Sequence, residues 1–345
     1  MTAFRPLRLL LDGDALVANW RWLAGQSGPA ACGAAVKADG YGLGAVEVVR
    51  RLANAGCRDF FVATWAEAEE LGPLPEGTTL SVLHGVRDED MALARVLEAR
   101  PVLNTVQQVN RWQATGRPCD VMIDTGMNRL GLSVQHVADG RLADLTIDTL
   151  MSHFACADED SPLNDRQLQD FVTLAGKTSA RRMSIANSAG ILLGPQNCLG
   201  LTRPGLALYG GEPRPEARGH IVQVAFPQAQ IVQRRRVARG DSVGYGATFV
   251  ATQDTEIAIL NIGYADGYLR SFGDSGSCGE GRFPVAGRVS MDLLAIAVDA
   301  QPDLHEGDWV AIDYDLPTAA RASGLSQYEL LTVLGRRFDR IWRQS

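Results

Sequence analysis

One lysine stands where a short apolar strand is expected to end. Lys37 lies in the stretch AAVKADGYGLGA, residues 34–45, between small apolar residues and three glycines. A buried ammonium is costly unless it is paired or converted, and a common conversion is an imine with a carbonyl cofactor. Tyr41 and the flanking glycines would let the backbone approach a bulky planar ligand. A surface lysine in a strand-to-helix turn is the alternative interpretation.

Other polar residues stand at or just after later apolar runs. They are Arg129, His153, Asn187, Ser188, Arg203 and Gly205. Each has an ordinary explanation, such as a core histidine at His153, a rim ion pair at Arg203 or a helix N-cap at Ser188. Their shared position at the ends of predicted strands is what favours a common site.

The elements that must position these residues alternate along the chain. Apolar runs are found at 31–36, 60–64, 80–85, 101–105, 120–124, 149–154, 181–188 and 200–210, and helical patterns lie between them at 45–56, 89–99, 106–112 and 163–176. Eight runs with seven connections predict a (β/α)8 TIM barrel, although an open doubly wound sheet fits the same pattern. Past Gly211 period-2 runs predict a mostly β domain.

These patterns give the domain prediction. We expect the barrel over 6–218 and the C-terminal β domain over 219–345, with residues 1–5 as a candidate to pair with the second domain. The end of the chain, SQYELLTVLGRRFDRIW, predicts a short helix followed by a strand.

The carboxyl ends of barrel strands meet at one mouth, so the polar residues named above would face the same space. Ser188 and Gly205, after the last two strands, offer a hydroxyl and backbone N–H groups where this fold commonly binds phosphate. A phosphate site opposite Lys37 suggests pyridoxal phosphate, with Arg203 at the ring nitrogen. Because arginine stays protonated, it would leave that nitrogen neutral and favour brief removal of an α-proton.

The predicted β domain contributes glycine-rich turns with polar residues, VGYGATF (243–249), GYADGY (263–268) and GRVSMD (287–292). Tyrosines in such turns often only pack. For Tyr245 we favour a base, which near neutral pH requires its pKa to fall by about three units from a model value near ~10. Arg203 acting through His153 is the candidate cause.

Composition limits the function classes. The chain of 345 residues is 46% apolar and 21% charged, as in ordinary globular proteins, and its net charge of -7 argues against nucleic acid and acidic membranes as partners. The six cysteines are scattered without metal spacing and predict reduced core thiols. No signal or membrane segment is recognised, and a cytoplasmic location is the default expectation.

Taken together, the motifs closely resemble the alanine racemase family of fold-type III pyridoxal-phosphate enzymes. The matching stretches, in the family's order over nearly the whole chain, are AVKADGYGLGA, IDTGMNRLG, SHFACADE, ANSAGIL, RPGLALYG, VGYGATF, GYADGY and GRVSMD. The resemblance implies a two-base interconversion of L- and D-alanine that supplies D-alanine for peptidoglycan precursors.

Site residues follow from the resemblance position by position. It implies that Lys37 holds pyridoxal 5'-phosphate and moves the proton on the D side, while Tyr245 does so on the L side. The residues implied for the cofactor are Tyr41, Ser188, Gly205 and Leu206 at the phosphate, Arg203 at the ring nitrogen and His153 between Arg203 and Tyr245. Arg129 and the backbone of Met291 are implied as substrate contacts. Tyr245 and Met291 would come from the other subunit of a head-to-tail homodimer.

The chain departs from the family pattern at three places. Met122 stands where many members have a carbamylated lysine that orients the equivalent of Arg129. Ser184 stands where some members have a histidine near Arg203. A C-terminal gate tyrosine is absent from its expected place, because Tyr328 comes too early and Arg336 occupies the approximate position.

Three alternatives remain open on the sequence. A broader or serine-preferring racemase shares the motifs, but such relatives are often exported. A basic amino-acid decarboxylase shares the cofactor class, but it would place an acidic residue where Arg203 stands. A non-catalytic carrier of pyridoxal phosphate is a single barrel, whereas this chain has VGYGATF and GRVSMD.

Overall fold

The computed structural model describes residues 4–273 and 275–343, which form two compact units. One unit comprises Leu16–Leu208 and Glu212–Val222, and the rest of the described chain forms the other. The first strand, β1 (Leu7–Asp12), pairs within the second, strand-rich unit. The predicted domain limits, 6–218 and 219–345, stay a prediction. Of residues 1–5, the first three lie outside the described residues, and Arg5 donates hydrogen bonds to the carbonyls of Arg336 and Phe338.

The first unit alternates strands and helices, as its apolar runs predict. The strands are β2 (Ala31–Cys32), β3 (Ala34–Ala35), β4 (Asp59–Val62), β5 (Thr79–Val82), β6 (Arg100–Leu103), β7 (Cys119–Asp124), β8 (Leu132–Ser133), β9 (Ile147–Met151), β10 (Arg182–Ser184) and β11 (Leu201–Thr202). The helices are α1 (Gly13–Gln26), α2 (Lys37–Tyr41), α3 (Ala45–Ala55), α4 (Trp65–Leu71), α5 (Met91–Ala94), α6 (Val106–Gln113), α7 (Val134–Ala138), α8 (Pro162–Val172) and α9 (Ser188–Leu192).

Backbone hydrogen bonds close these strands into a barrel. Strands β3, β4, β5, β6, β7, β9 and β10 are joined in that order, and every pair is parallel. Beyond β10, the Gly200 N–H donates to the Met183 carbonyl at 3.0 Å and the Arg203 N–H to the Ala186 carbonyl at 2.9 Å. Strand β11 then pairs in parallel with β2, which completes the ring. The predicted barrel is confirmed.

One helix prediction was wrong. The pattern over 89–99 predicts a full helix, but only α5 (Met91–Ala94) forms, and no side chain caps its N-terminus. Without a capping side chain, a short helix has little to offset the unpaired N–H groups of its first turn. By contrast, the N-caps of α4 and α6 are Thr64 and Thr105, whose hydroxyls accept the N–H of the third helical residue.

The barrel unit contains charged and apolar clusters. Asp59, Asp120 and Asp148 are buried. Arg182 pairs with Asp59 and Asp148, and Arg100 lies 3.2 Å from Asp148. A separate buried cluster is apolar and consists of Phe61, Val102, Met122, Met151 and Leu201. The charged cluster satisfies carboxylates that could not be buried alone.

We predict a large loss of stability for Asp148→Ala, because the substitution removes a carboxylate that pairs with both Arg100 and Arg182. The free energy of unfolding should fall by about 3–5 kcal/mol, measured by denaturant titration. Burial raises the pKa of Asp148, but Arg100 and Arg182 outweigh it and the pKa lies below its ordinary value. The contribution is therefore present above the ordinary carboxyl pKa and is lost as pH falls through the lowered folded value.

The matched control is Asp88→Ala, which removes an exposed partner of Arg111. It should leave stability close to that of the unaltered protein. Equal losses in the two variants would contradict a structural contribution of the buried cluster.

The second unit is mostly strand, as predicted. Its strands are β1 together with β12 (Ala225–Val237), β13 (Ser242–Val243), β14 (Phe249–Val250), β15 (Thr255–Leu260), β16 (Ser277–Cys278), β17 (Phe283–Pro284), β18 (Leu294–Ala297), β19 (Trp309–Ala311) and β20 (Asp339–Arg343). The main sheet has the order β18-β15-β12-β1-β20, and β19 pairs with β12. Helix α10 (Leu316–Ser323) was not predicted, whereas α11 (Gln327–Thr332) and β20 match the predicted helix and strand.

Within 4–273 and 275–343, none of the helices has both the length and the apolar character that a bilayer crossing requires.

Candidate active site

Lys37 opens α2, which follows the first barrel strand and is a left-handed turn rather than a regular α-helix. Ala38, Asp39 and Gly40 have φ of 54°, 53° and 62° and ψ of 48°, 50° and 45°, and Tyr41 has φ of 55°. A left-handed conformation costs roughly 1–2 kcal/mol for each residue other than glycine. The loop predicted at this point is therefore a compact, strained turn, and surrounding contacts must stabilise it.

Two carboxylates hold this turn. Glu67 Oε1 accepts the Ala38 N–H at 2.8 Å, and Asp39 Oδ1 accepts the Ala45 N–H at 2.8 Å, where α3 begins. Glu67 is not among the predicted site residues. The signal available for it was the spacing Thr64-x-x-Glu67, a capping box that begins α4.

The predicted site residues of the barrel unit create a strongly cationic environment. Burial lowers the pKa of Lys37, and Arg129 lowers it further, while Glu67 acts in the opposite direction. Burial, then Arg203, Arg129 and Lys37, lower the pKa of His153 to about 3. The mutual effects show that Lys37, Arg129, His153 and Arg203 lie close enough to interact. Such a cluster suits a ligand with several negative charges.

Arg203 is buried and fixed by neighbouring oxygens. Its Nη1 donates to the Ser184 hydroxyl, and its Nη2 donates to the Ser152 carbonyl at 2.6 Å. Nη2 also lies 3.5 Å from His153 Nδ1. Burial lowers the pKa of Arg203 to about 10, opposed by Asp120, so the guanidinium remains charged at neutral pH. Ser184 therefore fills one hydrogen-bonding position on Arg203.

Ser188, Gly205 and Tyr41 form a second part of the site. The Ser188 hydroxyl accepts the N–H groups of Gly205 at 2.9 Å and Ala207 at 3.2 Å. A Cβ built on Gly205 would lie 2.2 Å from the Tyr41 hydroxyl, so only glycine permits this approach. Leu206 is buried and begins the following 3₁₀ turn, Leu206–Tyr209. Asn187, rather than Ser188, is the N-cap of α9.

Met122 belongs to the apolar cluster of the barrel unit. Its side chain cannot present an anion to Arg129, which is exposed. No hydrogen bond or ion pair joins Arg129 to another residue within 4–273 and 275–343. Arg129 thus stays available to an external carboxylate.

The strand-rich unit holds the remaining predicted site residues, Tyr245 and Met291. Tyr245 is 70% exposed and begins the 3₁₀ turn Tyr245–Ala247. Its two neighbours, Gly244 and Gly246, both have positive φ. Met291 is 53% exposed. Its carbonyl accepts the Ala265 N–H at 3.1 Å, which joins the turn at 264–266 to the Met291 backbone.

Residues considered for the C-terminal gate lie in the same unit. Tyr328 is on α11, and Arg336 follows that helix. The neighbouring Arg337 donates to the buried Asp266 at 2.6 and 2.8 Å and to Asp292 at 2.7 Å. Arg337 therefore holds together the segments that carry Tyr264 and Met291.

Family models match both parts of the chain. The model for the N-terminal domain of alanine racemase matches residues 11–213, and the model for its C-terminal domain matches residues 224–342. The chain belongs to the alanine racemase family. The alanine racemase of Agrobacterium fabrum described as biosynthetic is 38% identical, with 97% of this chain and 93% of that protein covered.

Solved alanine racemases share the whole fold. The enzyme of Bartonella henselae, determined with covalently bound pyridoxal phosphate, superimposes with a TM-score of 0.90 at 32% identity, covering 98% of this chain and 99% of that one. The biosynthetic alanine racemase of Pseudomonas aeruginosa gives 0.87 at 34% identity, covering 99% and 100%. The resemblance inferred from the motifs is confirmed.

In this member of the alanine racemase family we expect His153 to stay neutral between about pH 5 and 9, because its lowered pKa lies well below that range. A neutral ring can accept from Arg203 at Nδ1 and donate at Nε2. The test is ¹H–¹⁵N NMR of the imidazole, assigned with a His153→Gln variant. The same ring in denatured protein should titrate near ~6.5. Titration of His153 between about pH 5 and 9 in the folded protein would contradict the prediction.

Proposed function

We propose that the chain interconverts L- and D-alanine with pyridoxal 5'-phosphate attached to Lys37, using Lys37 and Tyr245 as bases on opposite faces. The observation that carries the proposal is the cluster of Lys37, Arg129, His153 and Arg203 after the carboxyl ends of barrel strands. A lysine near the fixed guanidinium of Arg203 and the available guanidinium of Arg129 matches a cofactor with an aldehyde, a phosphate and a phenolic oxygen.

The residues present fit that cofactor. The Ser188 hydroxyl already accepts two N–H groups, so both lone pairs are used and its proton remains for an acceptor such as a phosphate oxygen. Gly205 and Leu206 lie in the same segment, and Tyr41 packs against Gly205. We assign these residues to the phosphate, as the family motif does. Arg203 is assigned to the ring nitrogen, which it keeps unprotonated.

When bound, pyridoxal phosphate supplies an electron sink for the bond to the α-hydrogen. This chain's residues do the rest. Burial and Arg129 lower the pKa of Lys37 and favour its neutral amine, the form that can take a proton. Arg129 is assigned to hold the substrate carboxylate, together with the backbone of Met291. His153 is assigned to donate from Nε2 to the Tyr245 oxygen of the partner subunit.

Exposure of Tyr245 and Met291 in the single chain supports a homodimer in which the partner subunit completes each site. Tyr245 is 70% exposed, and covering by a second copy would exclude water and strengthen the electrostatic interactions around it. We further propose a cytoplasmic enzyme that supplies D-alanine for peptidoglycan precursors.

The test is hydrogen exchange at Cα in heavy water, with L- and D-alanine beside L-serine and L-lysine, on protein loaded with pyridoxal phosphate. Fast exchange and inversion of alanine alone is the expected result. Comparable rates for serine or lysine would overturn the alanine preference but retain a racemase. An absorbance of attached cofactor without exchange of any amino acid would overturn the proposal in favour of a carrier.

A further inference from the structure

Glu67 makes more contacts than helix capping requires. Its Oε2 accepts the N–H groups of Ala63 at 2.6 Å and Thr64 at 3.3 Å, while the Thr64 hydroxyl accepts the Glu67 N–H at 3.2 Å. These bonds complete the capping box of α4. The other oxygen, Oε1, accepts the N–H of Ala38, 29 positions away along the chain. The same carboxylate therefore joins two neighbouring strand-to-helix loops.

Ala38 is the first residue of the left-handed turn, and it directly follows Lys37. The turn has an intrinsic conformational cost, so contacts from outside must hold it. Asp39 anchors its end through the Ala45 N–H, and Glu67 anchors its start. Losing the anchor at the start would let the peptide between residues 37 and 38 rotate, and this peptide sets the direction of the Lys37 side chain.

We propose that Glu67 is a positioning residue of the racemase site: its carboxylate ties the left-handed turn to the loop before α4 and so fixes where the Lys37 amine lies. The inference rests on the proposed function of Lys37. Glu67 acts through backbone N–H groups and is not assigned a contact with substrate or cofactor.

Glu67→Gln is the discriminating variant, because glutamine suffices for a capping box but has only one acceptor oxygen. That oxygen is expected to stay with Ala63 and Thr64, which donate two N–H groups. The amide NH₂ then faces the Ala38 N–H, and two donors repel. Glu69→Gln is the matched control, since it makes the same chemical change at an exposed position of α4.

The first measurement is hydrogen–deuterium exchange of peptides covering residues 36–44. In Glu67→Gln we expect exchange to be faster by about tenfold or more, because a charge-assisted bond to Ala38 is lost. Peptides from α8 should be unchanged, which separates local release from global destabilisation. Exchange over 36–44 equal to that of the unaltered protein would overturn the inference.

The second measurement is the rate at which cofactor-free protein captures pyridoxal phosphate covalently, as a function of pH. The charged groups that act on Lys37 are Arg129 and Glu67, with His153 also nearby. Removing the Glu67 charge shifts the titration midpoint of the Lys37 amine to lower pH. By itself, this shift speeds the capture of pyridoxal phosphate near neutral pH. Misplacement of the amine instead lowers the plateau that the capture rate reaches at high pH, where Lys37 is fully neutral.

We expect that plateau to fall by about tenfold in Glu67→Gln and to be unchanged in Glu69→Gln. A plateau equal to that of the unaltered protein would overturn the positioning role. Neither measurement uses an amino-acid substrate. A protein that captures the cofactor but does not exchange alanine would therefore reject the proposed function and leave the result on Glu67 intact.

Discussion

Lys37→Ala should abolish covalent attachment of pyridoxal phosphate and lower racemisation by roughly 10⁴-fold or more, since one substitution removes both the attachment point and a proton-transfer group. The readouts are the absorbance of the attached cofactor, reductive trapping with borohydride followed by peptide mapping, and turnover from each alanine enantiomer. The folded barrel should persist, because the Lys37 side chain has no hydrogen bond or ion pair to another residue within 4–273 and 275–343.

The small number of lysines allows the attachment site to be assigned unambiguously. Lys37 and Lys177 are the only lysines in the sequence. Lys177 follows α8 and is exposed, so Lys177→Ala is the matched control and should retain both attachment and turnover. Trapped cofactor on a peptide containing Lys177, or undiminished turnover of Lys37→Ala, would contradict the assignment.

Tyr245→Phe should retain covalent cofactor and lose racemisation by roughly 10²–10⁴-fold, the usual contribution of a general acid or base. The loss is directional. Lys37 remains on the D side, so D-alanine should still exchange its α-hydrogen in heavy water and return as D-alanine. L-alanine should exchange far more slowly, because the group facing its α-hydrogen has lost the phenolic oxygen.

Proton NMR and mass spectrometry of each recovered enantiomer measure this asymmetry in exchange. Tyr328→Phe is the control, since it removes the same oxygen from a tyrosine of α11 that is not assigned to the site. An equal loss of exchange from the two enantiomers would refute two bases on opposite faces. Loss of the attached cofactor would assign Tyr245 to binding instead.

Sequence patterns predicted the barrel well because its physical cause is local and periodic. Each of the eight apolar runs overlaps a barrel strand, and the helices starting at Ala45, Val106 and Pro162 match the predicted ones. Closure of the ring was not visible, since it depends on hydrogen bonds such as Gly200 to Met183 between segments whose pairing no pattern specifies. The site prediction itself rested on the shared position of several polar residues at the ends of predicted strands rather than on a single motif.

The left-handed turn could not be predicted from its residues. Ala38 and Tyr41 have no intrinsic preference for positive φ, and the flanking glycines predicted only a close approach of the backbone to a ligand. The turn exists because Glu67 and Asp39 stabilise it, and the contact of Glu67 links residues 29 positions apart. Likewise, Ser184 as a partner of Arg203 follows from packing between β10 and residue 203, which a linear pattern does not reveal.

The dependence of this turn on Glu67 has a consequence for folding order. Isolated, the segment 37–41 has no reason to turn left-handed, so it cannot act as a nucleus. It forms only after the strand before α4 has docked beside the first one. Partly folded chains then lack a correctly placed amine, so pyridoxal phosphate binds preferentially to the native state. By mass action the vitamin-derived cofactor therefore acts as a ligand that stabilises the native chain against unfolding.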